Sequence, residues 1–325
     1  MKAIVLLFAL VSVIGCAKRE TVVTPTVAPR MLTSSEIDAD PLAILPTGFV
    51  GLLRAEIPAV AKSAMGPSLL ALANRMAPLP PSSGFLPERD LDRIVLGLYS
   101  MQGADAAGVA IGRFDPDAIK RAAAATSTTP NGALVQSPYA GYLLYTVHNI
   151  GFCVLTSHTL LFGNETGIRR ALDRIHDGRA VHEMPDWTSV LLDSARAPLA
   201  LGGNLESNSL PPSATQQVPF LAGLHAFRVL GNFEAPGFNL AGSLGYETPE
   251  RATQAAQEML ASRDLLKSYG WMMKLVGVTQ PIERLEAQSA DREVSFVAAL
   301  DGVAMAKLMS MVTPTLLNSL NPTGQ

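Results

Sequence analysis

The chain has 325 residues, 48% apolar and 16% charged, and its 25 basic and 28 acidic side chains give a net charge of -3. A soluble protein usually carries about 25% charged residues, so this chain can bury a large core and is not disordered throughout. The charge balance also speaks against a nucleic-acid binder, which clusters Lys and Arg, and at roughly 150 residues per domain the length fits two domains or one large one.

The N-terminus reads as an export signal, residues 1–15. Lys2 supplies the positive charge, and an apolar run broken only by Ser12 extends from Ala3 to Ile14. That run is shorter than the about 20 residues needed to span a bilayer and has the length of a cleaved signal core. It ends in Val13-Ile14-Gly15-Cys16, which resembles the lipobox of bacterial lipoproteins. The resemblance implies a diacylglyceryl group on the Cys16 thiol, cleavage between Gly15 and Cys16, and acylation of the new amino terminus. The implied partner is therefore a membrane, with an envelope protein or an apolar ligand as a further partner of the body. Each buried CH₂ contributes about 0.8 kcal/mol, so several acyl chains make a stable anchor where one would be marginal. Ala17, rather than Asp, follows the cysteine. In a host with two membranes, that resemblance implies sorting to the outer membrane, on its periplasmic or surface face. Residues 16–40, with Pro25 and Pro29, read as a tether.

Beyond the tether the sequence suggests two α+β lobes, 41–180 and 181–325. Each has repeated β-β-α units that form a mainly antiparallel sheet with helices packed on one face. Phe49 to Ala55 reads as a strand, followed by a helix from Pro58 to Met76 kinked at Pro67. Ile94, Leu96 and Leu98, then Val109 and Ile111, alternate as strands do. Asp115-Pro116 starts a helix with Asp as its cap, and Ile119, Ala122 and Ala123 form its inner face. Strands follow at Tyr142–Val147, Phe152–Thr156 and Thr159–Phe162. Asn164 then caps a helix with Ile168, Ala171, Leu172 and Ile175 on one side.

A linker helix around Trp187, Val190 and Leu191 leads into the second lobe. There Pro198 to Leu205 reads as a strand, a Pro-rich loop holds Pro211-Pro212, and Val218 to Leu224 is a short apolar segment. Phe227, Val229 and Phe233, then Phe238, Leu240, Leu244 and Tyr246, alternate. Thr248-Pro249 opens a helix whose inner face is Ala252, Ala255, Ala256, Met259 and Leu260. Glu283–Ser289 and Val294–Leu300 are the last strands. Asp301 caps a final helix with Met305, Leu308, Met309 and Val312 aligned.

The search for chemistry returns little. No phosphate-binding loop or dinucleotide fingerprint is present, so no cofactor is implied. His182-Glu183-Met184-Pro185-Asp186 opens like a zinc-protease motif, but Asp186 stands where the second His is needed and Pro185 interrupts the helix. His148, His158, His176, His182 and His225 are too scattered to form a metal site. Ser243 sits in a sequence like a nucleophile elbow, yet Leu240, Leu244 and Tyr246 keep alternating through it, as in a continuous strand. Glu36, Asp38 and Asp40 lack the glycine and closing glutamate of a calcium loop. Cys153, in an apolar strand without nearby Lys or Arg, reads as a buried, inert thiol. Met259, Met272, Met273, Met305, Met309 and Met311 read mainly as core filler, with an adaptable groove for apolar ligands or partner helices, or soft-metal binding, as the alternatives.

The sequence thus gives no catalytic, cofactor or metal residues. The expectation is an exported lipoprotein, anchored through Cys16, with a non-catalytic binding or scaffolding role at the cell envelope. Two alternatives stand beside it: a hydrolase with dispersed catalytic residues, and a carrier holding an apolar ligand between sheet and helices.

Overall fold

The computed structural model describes residues 30–70, 79, 81–101, 105–129, 132–179, 181–194, 197–268 and 281–319. Gly15, Cys16 and the expected signal peptide lie outside the described residues, as do Met272 and Met273.

The strands are β1 (Gly51–Glu56), β2 (Leu91–Ser100), β3 (Asp105–Gly112), β4 (Thr128–Thr129), β5 (Gly132–Ala133), β6 (Val135–Tyr139) and β7 (Tyr142–Val147). They continue with β8 (Ile150–Val154), β9 (Thr159–Asn164), β10 (Leu199–Asn204), β11 (Leu224–Asn232), β12 (Gly237–Tyr246), β13 (Ile282–Ala290) and β14 (Glu293–Asp301). The helices are α1 (Ser34–Ala39), α2 (Ile57–Lys62), α3 (Pro87–Asp90), α4 (Pro116–Ala125) and α5 (Glu165–His176). After them come α6 (Ser189–Leu192), α7 (Pro212–Gln217), α8 (Pro249–Ser268) and α9 (Gly302–Ser319).

The fold is α+β. Twelve strands form one antiparallel sheet in the order β13-β14-β12-β11-β10-β1-β2-β3-β9-β8-β7-β6, and β4 and β5 pair separately. The sequence suggests two lobes, each with its own sheet. Instead β1 and β10 pair from Gly51↔Gly203 to Ala55↔Leu199 and join the halves edge to edge. Left unpaired, two such apolar strands would each expose a row of backbone donors and acceptors. Arg54 reinforces the seam. It is almost fully buried, donates to the carbonyls of Ser194 at 2.8 Å and Ala197 at 2.5 Å, and pairs with Glu56 at 3.0 Å.

Helices cover both faces of the N-terminal half, not one. Strands β3, β8 and β9 carry apolar residues at consecutive positions, as strands buried on both sides do. Phe152 and Leu160 pack with Ile119 and Ala123 of α4, whereas Cys153 and Leu161 point the other way, to Ile168 and Leu172 of α5. Phe49 meets Trp187 edge to face at 6.1 Å on that second side, where Leu191 of α6 is also buried. In the C-terminal half the strands alternate, apart from irregularities at Leu224/Ala226 and Ile282/Arg284. Leu244 and Val294 pack on Ala252 and Ala255 of α8, while Arg228, Ser295 and Glu286 of the opposite parity are exposed.

The expected caps are in place. The side chain of Asp115 accepts from the Ala118 amide at 2.8 Å, and that of Asp301 from the Ala304 amide at 2.6 Å. Asn164 accepts from Gly167 at 3.3 Å and also from Ala106 of β3 at 2.9 Å, tying the start of α5 to the sheet.

Two local expectations change. The tether ends before residue 40, because α1 is docked: Ile37 is fully buried, and Asp38 accepts hydrogen bonds from the hydroxyls of Thr156 and Thr159. A capping box between Thr33 and Glu36 starts that helix. The helix from Pro58 breaks at Ser63, whose hydroxyl bonds the Val60 carbonyl at 2.7 Å, and a second helical stretch covers 66–70. Pro67 thus falls in a first helical turn, where its missing N–H costs nothing.

Candidate functional site

The residue types of α8 divide it into two parts. Its first turns present Ala252, Ala255 and Ala256, all buried, so the helix lies close to Leu244, Tyr246 and Val294. Further along, the inward positions become Met259, Ser262 and Arg263, and the helix no longer fills the space above the sheet. A groove of about 480 Å³ remains, open on one side to solvent.

The floor of the groove is the inner face of β11, β12, β14 and β13. Register sets Phe227 beside Leu244, Gly242 between Val229 and Phe296, and Leu285 beside Ala298. Gly242 is required here. A Cβ at that position would lie 2.3 Å from the Arg228 carbonyl oxygen and 3.0 Å from the Phe296 ring. The ring can therefore lie over the glycine and form the base of the groove. Phe227 lies over Gly203 in the same way, with a Cβ there only 2.6 Å from the ring.

The far wall is the loop between β10 and β11, through Leu210, Phe220 and Leu221. Arg251 of α8 holds it. Its guanidinium donates to the carbonyls of Ala222 at 2.8 Å and Pro219 at 2.7 Å, pairs with Glu258 at 3.0 Å and lies 5.5 Å from the Tyr246 ring centre. The Tyr246 hydroxyl donates to the Phe220 carbonyl at 2.6 Å, and burial pushes its pKa up to about 12. This wall is thus held by hydrogen bonds between polar side chains and backbone, behind its apolar lining.

Every lining residue except Ser262 and Arg263 is apolar. Arg263 is occupied within the protein: its Nε donates to Asp264 at 2.8 Å and its Nη1 to the Leu285 carbonyl at 3.2 Å. A volume in the range of about 300–1,000 Å³, with apolar walls and few polar groups, is the usual form of a small-molecule site. What this arrangement can do chemically is desolvate an apolar chain.

The other residues singled out in the sequence do not converge. His182 pairs with Asp40 at 3.0 Å and His176 with Asp177 at 3.2 Å, while His158 contacts the Gly112 carbonyl at 3.3 Å. Residues 181–185 are not helical, so His182 and Asp186 do not share a helix face. Ser243 lies mid-strand in β12, paired with Arg228 and Ser295. Cys153 is fully buried, and burial pushes its thiol up to about 12, far from a reactive thiolate. Glu36 and Asp38 serve as cap and hydroxyl acceptor. Among the described residues no three His, Cys, Asp or Glu side chains lie close enough to hold a metal ion. No described helix is long and apolar enough to cross a membrane.

Of the six methionines, Met259 lines the groove, while Met311 is exposed. Met101 is a lining residue that sequence reasoning missed, because it follows β2, far from α8 in the chain. The strand residues Phe227, Val229 and Phe296 were legible as inward-facing. The groove above them was not, and its one sequence signal was the change along α8 from alanines to Met259, Ser262 and Arg263.

Neither a protein-family model nor a curated protein sequence matches the chain. Among solved structures, the fold is similar to TP0453 in its crystal form I. The TM-score is 0.50 at 9% identity, covering 85% of this chain and 97% of that one. Crystal form III of TP0453 gives a TM-score of 0.49 at 10% identity, covering 83% and 98%. At these identities the likeness is one of fold alone.

Proposed function

We propose that the protein is an exported lipoprotein, anchored through Cys16, whose C-terminal half binds an apolar ligand at the cell envelope. Lys2, the apolar run and Val13-Ile14-Gly15-Cys16 support the anchor, and Ala17 favours the outer membrane in a host with two membranes. The observation that carries the binding role is the groove under α8. Its apolar walls favour a ligand-binding function over scaffolding, and a carrier over a hydrolase.

The strand order supports a finer reading of the fold. Outward from the seam, one half runs β1, β2, β3, β9, β8 and the other β10, β11, β12, β14, β13. Helices α4 and α8 follow the third strand of each, and α5 and α9 follow the fourth. On this reading the halves are two copies of one unit, with β6 and β7 as an insertion in the first.

The experiment has two arms. Cys16→Ser, expressed in a bacterial host, should lose metabolic labelling with palmitate and leave the membrane fraction. Wild-type protein isolated from membranes, after organic extraction, should release a stoichiometric non-covalent lipid. If wild type is unlabelled and Cys16→Ser remains with membranes, the anchor is refuted. If nothing apolar is extracted and no apolar probe binds, the carrier role is refuted.

A further inference from the structure

We infer that the ligand of the groove is a single-chain amphiphile whose head is non-anionic and donates hydrogen bonds. This rests on the groove binding an apolar chain. A second, smaller pocket of about 230 Å³ adjoins the groove and shares Leu210, Leu221 and Leu224 with it. These three leucines line both, so the two pockets are neighbours. The smaller pocket adds four polar side chains to a lining that is otherwise leucine, alanine and glycine: exposed Glu206 and Ser209 and half-buried Thr215 and His225.

Glu206 and His225 come together because the backbone continues the pairing of β10 and β11 past Asn204. The Leu205 amide donates to the His225 carbonyl at 2.6 Å. Neither Glu206 nor His225 makes a side-chain hydrogen bond or ion pair with another described residue. A carboxylate only accepts, with room for several donors. Its natural occupant is a hydroxyl-bearing or amine-bearing head. A free fatty acid would place its own carboxylate against Glu206. Arg263, the cation that could hold a fatty acid instead, already pairs with Asp264 and Leu285. The groove volume, about 480 Å³, lies in the lower part of the about 300–1,000 Å³ range of small-molecule sites and suits one acyl chain.

The test uses the full mature chain and competition against a fluorescent apolar probe. The competitors are monopalmitoylglycerol, palmitate and a dipalmitoyl diacylglycerol. Monopalmitoylglycerol should displace the probe about tenfold better than palmitate, the difference expected from one charge-assisted hydrogen bond. Glu206→Gln should raise palmitate affinity and close most of that gap. Arg263→Gln, at a lining residue of the groove, should leave the preference between the two single-chain competitors unchanged. Equal binding of the two single-chain competitors, unaltered by Glu206→Gln, would overturn the head assignment while leaving the groove intact. So would palmitate binding that depends on Arg263. Tighter binding of the diacylglycerol would overturn the single-chain assignment. Failure of the probe and all competitors to bind would refute the groove itself, and this inference with it.

Discussion

The two halves of the sheet bury their inner faces differently. In the N-terminal half, α4 sits on an interface filled by aromatic pairs: Tyr145 stacks on Phe152 at 5.0 Å and Phe85 on Phe114 at 5.7 Å. Its sheet is covered on the other face by α5. In the C-terminal half, α8 approaches on alanines, then leaves a groove, and the outer face of the strands exposes Arg228, Ala241, Ser295 and Glu286. The same layering therefore gives a closed core on one side and a cavity on the other. The half that forgoes dispersion contacts is the one to which the binding role is proposed.

Substitutions can break this contrast. Phe152→Ala, at a position 1% exposed, should destabilise by about 3–5 kcal/mol in chemical denaturation. Phe296→Ala, half-buried at the groove floor, should cost only about 1 kcal/mol, because its ring already faces open space on one side. Equal costs would mean that the two interfaces are packed alike. Ala255→Leu, where α8 is in close contact, should cost about 1–3 kcal/mol through overpacking, and the displaced helix should widen the groove and weaken probe binding.

The smallest expected effect concerns the edge of the closed half. Glu36 has its pKa lowered to about 2 by its bonds to Arg30 and then to Thr33. A lowered carboxylate pKa contributes stability that is present above the unfolded value near 4.5 and is lost as pH falls toward about 2. Amide exchange in α1 should therefore quicken over that interval in wild type. Glu36→Gln should show faster exchange already at neutral pH and little further change. The groove half should not respond.

Much of the fold was legible from periodicity and caps. Asp115, Asn164 and Asp301 each mark a helix start, and the inner faces of α4, α5 and α8 follow from 3.6-residue spacing. The joining of the two halves was not legible, because β1 and β10 are nearly 150 residues apart and nothing local names a strand's partner. Nor was the docking of α1, which depends on Asp38 meeting Thr156 and Thr159 across the chain. The groove was half legible. Alternation placed Val229 and Phe296 inward, but an empty volume is set by the distance between elements, which no residue pattern records.

The most direct test is a titration of mature protein with an environment-sensitive apolar fluorophore, alongside Val229→Trp, which fills the groove from its floor, and Leu285→Trp as a second block. The account predicts saturable one-to-one binding in wild type, lost in both variants while their thermal melts stay cooperative. Absence of saturable binding in wild type, or undiminished binding in both folded variants, would contradict it.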